Sequence, residues 1–360
     1  MFGTSHPTER LASSVGSPRA EDWRTTQLLR DRGHGDLVLA LPSGWLEDLG
    51  WKDGQLLTVT RLAGARLMVS QDKMEGRVPA STIDLPAQTP KEHLFRRLVS
   101  AYLTGADEIT VASASRFSAE QVLVVREFCR RIPDLHVAFE TKEKIVLKGV
   151  PERAAMDPPV LVRDMARRVV RLHRAAGRSW DRHEVGIRST PFGAMDDEVD
   201  REAWLMERTL VRELALGMYF DPRRADAVVG VNYLMAAKTL ERIADHAVRV
   251  GEEGRKLSSG PPELRASLAT FHEQVMHLLA AAVDLLDRPE ESPANELIDG
   301  VDRLLSGREA FGMTTLQFSR GWASRGSLVL PTNLVLESMR RTASYVADLG
   351  EIALDLLANA

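Results

Sequence analysis

The stretch Ala237-Lys238-Thr239-Leu240-Glu241-Arg242-Ile243-Ala244-Asp245-His246-Ala247 decides the fold. Its apolar residues recur three and four apart, the period of one helix face. That spacing holds from about residue 157 to the end, nearly 200 residues. Breaks fall near Gly186–Phe192, Phe220–Arg223, Gly251–Pro262, Pro289–Pro293 and Gly326–Pro331. Long helices separated in this way pack as antiparallel bundles.

The helical part repeats itself. Asp197-Glu198-Val199-Asp200-Arg201 has a counterpart in Asp299-Gly300-Val301-Asp302-Arg303, 102 residues later. Glu241-Arg242-Ile243-Ala244-Asp245 has one in Ser344-Tyr345-Val346-Ala347-Asp348, at an offset of 103. Two segments sharing nearly one offset point to tandem three-helix units, 156–257 and 258–360.

Residues four apart share a helix face at about 5–6 Å between Cβ atoms. Asp196 with Asp200, and Glu241 with Asp245, are such pairs. Like charges so placed cost about 0.2–0.5 kcal/mol and need a reason. One is a hard divalent or ferric cation, which takes carboxylate oxygens from adjacent helices. The other is surface pairing with Arg201, Arg242 or Arg249. The residues alone leave both open. Glu-x-x-His, which carboxylate-bridged di-iron bundles need, is not formed by Glu241 and His246.

Before the bundle lie two smaller segments. Residues 1–23 have the Ser, Pro, Gly and charge of a mobile tail and no apolar h-region of a secretory signal. Residues 24–75 read as short strands around a helical turn: Leu37 to Leu41 stopped by Pro42, Ser43 as an N-cap, a helix ending at Gly50, then strands from Leu56 to Leu62 and Arg66 to Ser70. So small a core is marginal alone, and dimerisation is an ordinary remedy. Residues 76–155 read as a small α/β linking module with helices at Glu92–Leu103 and from Ser118 to Arg131. It carries no Gly-rich phosphate loop and no nucleophile elbow. A spacer or dimer contact is its expected role.

Two resemblances follow. The segment 237–247, with Asp196-Asp197-Glu198-Val199-Asp200-Arg201, resembles the acidic helices of the PhoU family of phosphate-uptake regulators. That resemblance implies two tandem three-helix bundles, E/D-x-x-x-D on two helices of each, and iron or another divalent or trivalent metal in some members. The matching positions are Asp196, Asp197, Asp200, Glu241 and Asp245 in the first unit and Asp299, Asp302 and Asp348 in the second. The second unit departs from the pattern, with Ile298 and Ser344 where acids are expected. Leu39-Ala40-Leu41-Pro42 followed by Leu49-Gly50-Trp51-Lys52-Asp53-Gly54-Gln55 is similar to the AbrB/SpoVT/MazE swapped-hairpin domain. That similarity implies an obligate homodimer and DNA contact through Arg24, Arg30 and Arg32.

Totals set the outer limits. The chain has 360 residues, 44% hydrophobic and 27% charged, with a net charge of -4, so no overall basic field advertises nucleic acid. Cys129 is the sole cysteine, which excludes an internal disulfide and suits a reducing cytoplasm. No apolar run approaches the roughly 20 residues that span a bilayer. The expected fold class is therefore α+β, mainly α. The function that the two resemblances imply is a non-enzymatic, DNA-binding regulator of phosphate uptake and phosphate-responsive transcription, a negative regulator of phosphate transport that works with a phosphate transporter or phosphate-signalling protein. Two alternatives are a protein-binding adaptor that keeps the hairpin domain for dimerisation and, last, a carboxylate metalloprotein.

Overall fold

A computed structural model describes residues 30–31, 37–38, 41–62, 66–71, 80–86, 89–132, 134–149, 157–181, 191–215, 227–307 and 326–359. Contacts divide the chain into two units, residues 1–59 with 69–73, and 60–68 with 74–360.

In the first region β1 (Arg30–Asp31) pairs antiparallel with β2 (Leu37–Val38), Arg30 opposite Val38. Helix α1 (Ser43–Asp48) follows, and Gly50, at φ +67°, turns the chain out of it. Ser43 is not its N-cap. Pro42 holds that place without a side-chain hydrogen bond, and Ser43 is the first helical residue. Strands β3 (Thr58–Leu62) and β4 (Arg66–Ser70) make a two-stranded sheet.

The α/β module runs β5 (Ala80–Leu85), α2 (Lys91–Leu103), β6 (Glu108–Ser113), α3 (Ala119–Arg131), β7 (Leu135–Glu140) and β8 (Lys144–Gly149). The sheet order is β5-β6-β8-β7, with β5 parallel to β6 and the other pairs antiparallel. Ser118 starts α3 with a capping box: its hydroxyl accepts from the Gln121 amide, and the Gln121 side chain accepts from the Ser118 amide. Both helices cover one sheet face, burying Ile83, Ile109, Val111, Ile145 and Leu147 against Leu94, Leu98 and Phe128. Strand β5 departs from the sequence reading, which found no strand there. It is an edge strand between Pro79 and Pro86, and only alternate residues, Ile83 and Leu85, are buried.

The helical region contains α4 (Pro158–Ala176), α5 (Phe192–Ala215), α6 (Ala227–Lys256), α7 (Pro262–Asp287), α8 (Glu291–Ser306) and α9 (Val329–Ala358). Each triplet, α4–α6 and α7–α9, ends in a helix of 30 residues, yet the two triplets do not keep separate interiors. One continuous apolar cluster runs from Leu161 to Leu356, and the α6–α9 pair makes the most extensive helix contact. Gly251, expected at a break, lies inside α6. It admits the Phe192 ring: a Cβ there would stand 2.5 Å from it.

A polar cluster is enclosed in this core. His173 of α4 lies 3.2 Å from His272 of α7 and 3.0 Å from the Thr342 hydroxyl of α9. Thr342 donates to the Ser338 carbonyl, and His272 Nε2 also lies 3.1 Å from the His173 carbonyl. Burial holds both imidazoles neutral, His173 well below its ordinary pKa and His272 at about 4. The cluster ties one helix of the first triplet to two of the second.

Candidate acidic site on α5 and α6

Helix α5 turns Phe192, Val199, Ala203 and Met206 into the core, and α6 does the same with Ala237, Leu240, Ala244 and Ala247. The acids Asp196 and Asp200 lie beside the buried face of α5, and Glu241 and Asp245 lie beside that of α6. The two helices pack together. Asp196 and Asp200 thereby feel Glu241 and Asp245 across the seam.

The electrostatic result is strong. Burial, then the charges of Asp200 and Asp245, push the Asp196 carboxyl up to about 7. Burial, then Glu241 and Asp245, push Asp200 up to about 6. The Oδ1 atom of Asp196 is buried without a hydrogen-bond partner, an arrangement that costs about 1–3 kcal/mol. These carboxylates share a field. Among the described residues, however, no three His, Cys, Asp or Glu side chains converge closely enough to hold one metal ion.

The cations that reach these acids differ from Arg201, Arg242 and Arg249, which lie nearby in sequence. Lys238 Nζ bridges Glu207 of α5 at 3.0 Å and Glu241 of α6 at 3.2 Å. Arg131, at the end of α3, reaches Asp197 at 2.9 Å. Asp197 is thus drawn toward the α/β module. Arg242 instead lies over the Tyr345 ring. Lys238 stands three residues before Glu241, so helix spacing was signal enough to find it. Arg131 had no such signal, since it arrives from 66 residues away.

Among the described residues, the second unit builds no comparable cluster. Asp299 and Asp302 are exposed on α8, and Asp348 is exposed on α9. Burial raises the Asp348 carboxyl, and the charge nearby is that of Arg242, which lowers it. Ile298 stands where an acid was expected because its side chain packs against Gly350: a Cβ there would meet Ile298 Cγ1 at 3.0 Å. That position serves helix packing.

Helix α5 is also anchored to the α/β module. The buried Arg208 guanidinium donates to the carbonyls of Tyr102 (3.0 Å) and Ala106 (2.7 Å) and to Asp107 (3.0 Å), and it lies 3.6 Å from Asp134. Arg212 reaches Asp107 at 2.6 Å. Gly105, at φ +81°, lets the chain pass against the Arg212 backbone. Of the N-terminal candidates, Arg24 and Arg32 lie outside the described residues, and Arg30 stands on β1. Among the described residues, no helix is long and apolar enough to cross a membrane.

Residues 162–254, most of α4 through α6, match the family model of the PhoU domain. No curated protein matches the chain. Among solved structures, PhoU from Pseudomonas aeruginosa is similar at 19% identity and a TM-score of 0.49, over 57% of this chain and 97% of that one.

Proposed function

We propose that this chain is a cytoplasmic, non-enzymatic regulator of phosphate uptake and of phosphate-responsive transcription. The observation that carries the reading is the PhoU-domain match, which falls on the helices that hold Asp196, Asp200, Glu241 and Asp245. The bundle is the sensing part, acting with a phosphate transporter or a phosphate-signalling protein. Residues 24–75 pair with a second copy and hold DNA through Arg24, Arg30 and Arg32. What supports the pairing is Leu56 at 90% exposure, with Val59 at 60% and Leu49 at 54%. A small module that leaves such side chains in water gains by burying them against another copy.

The acidic seam is the place proposed for iron or another divalent or trivalent cation, although its side chains do not converge on one ion. Its donors are hard carboxylate oxygens, which fit such ions, and the unpartnered Asp196 Oδ1 and raised carboxyls supply the demand for positive charge. Asp196, Asp200, Glu241 and Asp245 are the residues that would have to draw together to hold the ion, since no three of them converge on one point as they stand.

The test is a gel-shift with duplex from the chain's own promoter and from a phosphate-transport promoter, across a salt series. Binding that weakens steeply with salt is expected, because arginine–phosphate contacts release counterions. No shift at low salt defeats the DNA-binding part. Unchanged phosphate uptake in cells lacking the gene defeats the regulatory part.

A further inference from the structure

Helices α2 and α5 run in the same direction and touch at two places. At one the Phe95 and Trp204 rings meet, with centroids 6.4 Å apart. At the other Gly105 lies against Arg212, so closely that a Cβ on the glycine would stand 2.9 Å from the Arg212 Cβ. Between these contacts lies a trough of about 560 Å³. At roughly 1.5 Å of rise per residue it is about 13 Å long from Phe95 to Thr104. It stays open because α5 sends its long side chains elsewhere. Glu207 turns to Lys238 of α6, 3.0 Å away. Arg208 turns to the carbonyls of Tyr102 and Ala106. Val211 is left to line the trough with Val99 and Leu103 of α2.

The walls are apolar and incompletely covered. Phe95, Val99, Leu103 and Trp204 pack on the outside of the α/β core without being enclosed by it, and Val211 is half-buried. Such surface gains by leaving water, and the volume lies within the roughly 300–1,000 Å³ of small-ligand clefts. A helix about 10 Å across and equally long would displace roughly 1,000 Å³. The trough therefore suits a thinner body, a single extended hydrocarbon chain.

Charge settles the head group. Two charged side chains line the trough, Arg96 and Glu207. Glu207 is already matched by Lys238. Arg96 stands exposed on the rim beside Phe95 and has no ion pair or hydrogen bond among the described residues. The hydroxyl of Ser100, one turn further along α2, is likewise without a partner there. The unmatched charge is positive, and a guanidinium beside a hydroxyl donor suits a carboxylate.

We propose that this trough binds a medium-chain carboxylate, with its head on Arg96 and Ser100 and its chain along Val99, Leu103 and Val211. The site does not rest on the proposed function. The experiment titrates sodium decanoate into the full chain by isothermal calorimetry. One saturable site with a Kd on the order of 100 µM is expected. Because Arg96 is exposed, Arg96→Glu leaves the fold intact; it is expected to weaken binding by about tenfold or more, whereas Arg96→Lys keeps most of it. Val211→Trp fills the trough and is expected to abolish binding. Decyltrimethylammonium, with the same chain and the opposite charge, is expected not to bind. Phosphatidylglycerol vesicles are expected to leave the chain in the supernatant on sedimentation, since the trough takes one free chain lying along the protein. No saturation by about 2 mM decanoate overturns the proposal, as does wild-type affinity in Arg96→Glu, equal binding of the cationic analogue, or co-sedimentation with the vesicles.

Discussion

Replacing Asp196 by Asn is predicted to stabilise the metal-free bundle, and the gain is predicted to depend on pH. The carboxyl moves from 3.8 to about 7 on folding. A raised carboxyl pKa favours the folded state only while the group is protonated. The associated stability is whole below the unfolded value, is lost as pH rises from about 4 toward 7, and stays lost above that. At about 1.36 kcal/mol per pH unit the ceiling is about 4 kcal/mol at pH 8. Solvent beside α5 screens part of this, and the Asn amide must itself be accommodated, which leaves about 2 kcal/mol. For a bundle of this size that is roughly a 4–8 °C rise in melting temperature. Chelator-treated protein, melted by far-ultraviolet circular dichroism at pH 8 and pH 5.5, should show the full gain at the first and about half at the second. A variant that melts below wild type at both, or gains equally at both, refutes the argument that ionised Asp196 is held against its neighbours. Adding Mn²⁺ should then raise wild type more than the variant.

Three further outcomes are expected. Acid should destabilise the core through His272: its folded pKa of about 4 lies below the ordinary 6.5, so the unfolded chain takes up a proton first. Stability is full above about 6.5 and falls by about 3 kcal/mol on going to pH 4, and urea titrations of His272→Gln should show a shallower decline. Arg208→Met should cost about 3–5 kcal/mol, because Asp107 and Asp134 lose their buried counter-charge; an unchanged urea midpoint would show the anchor contributes nothing. Gly251→Ala should cost about 1–3 kcal/mol by pressing on the Phe192 ring, which a thermal melt will read.

How far the sequence could be read follows from how local each determinant is. The acids of α5 and α6 were visible because four-residue spacing is a property of one helix. Lys238 lay in the same segment and its role was equally local. Arg131 and Arg208 could not be found that way, since their partners are set by how α5 packs on the α/β module. Strand β5 was missed although Ile83 and Leu85 alternate with Thr82 and Asp84, because the run is only six residues long and lies between Pro79 and Pro86, which read as breakers. Gly251 read as a break, whereas a glycine inside a helix can equally mark close approach of an aromatic ring. The duplication suggested two bundles. Whether two repeats share an interior depends on apolar residues facing outward from each, and periodicity does not distinguish an inner stripe from one reserved for the other repeat.

The shared interior bears on how the protein is made and how it fails. A nascent chain that has released only α4–α6 exposes the α6 stripe that α9 will cover, along with a buried histidine on α4 whose hydrogen-bond partners have not yet been synthesised. The first triplet therefore waits, sticky, for the second. In that interval the closest substitute for the missing α7–α9 is the same triplet from a neighbouring ribosome's product, so slowed translation between α6 and α7 should yield exchanged, domain-swapped chains rather than half-folded monomers.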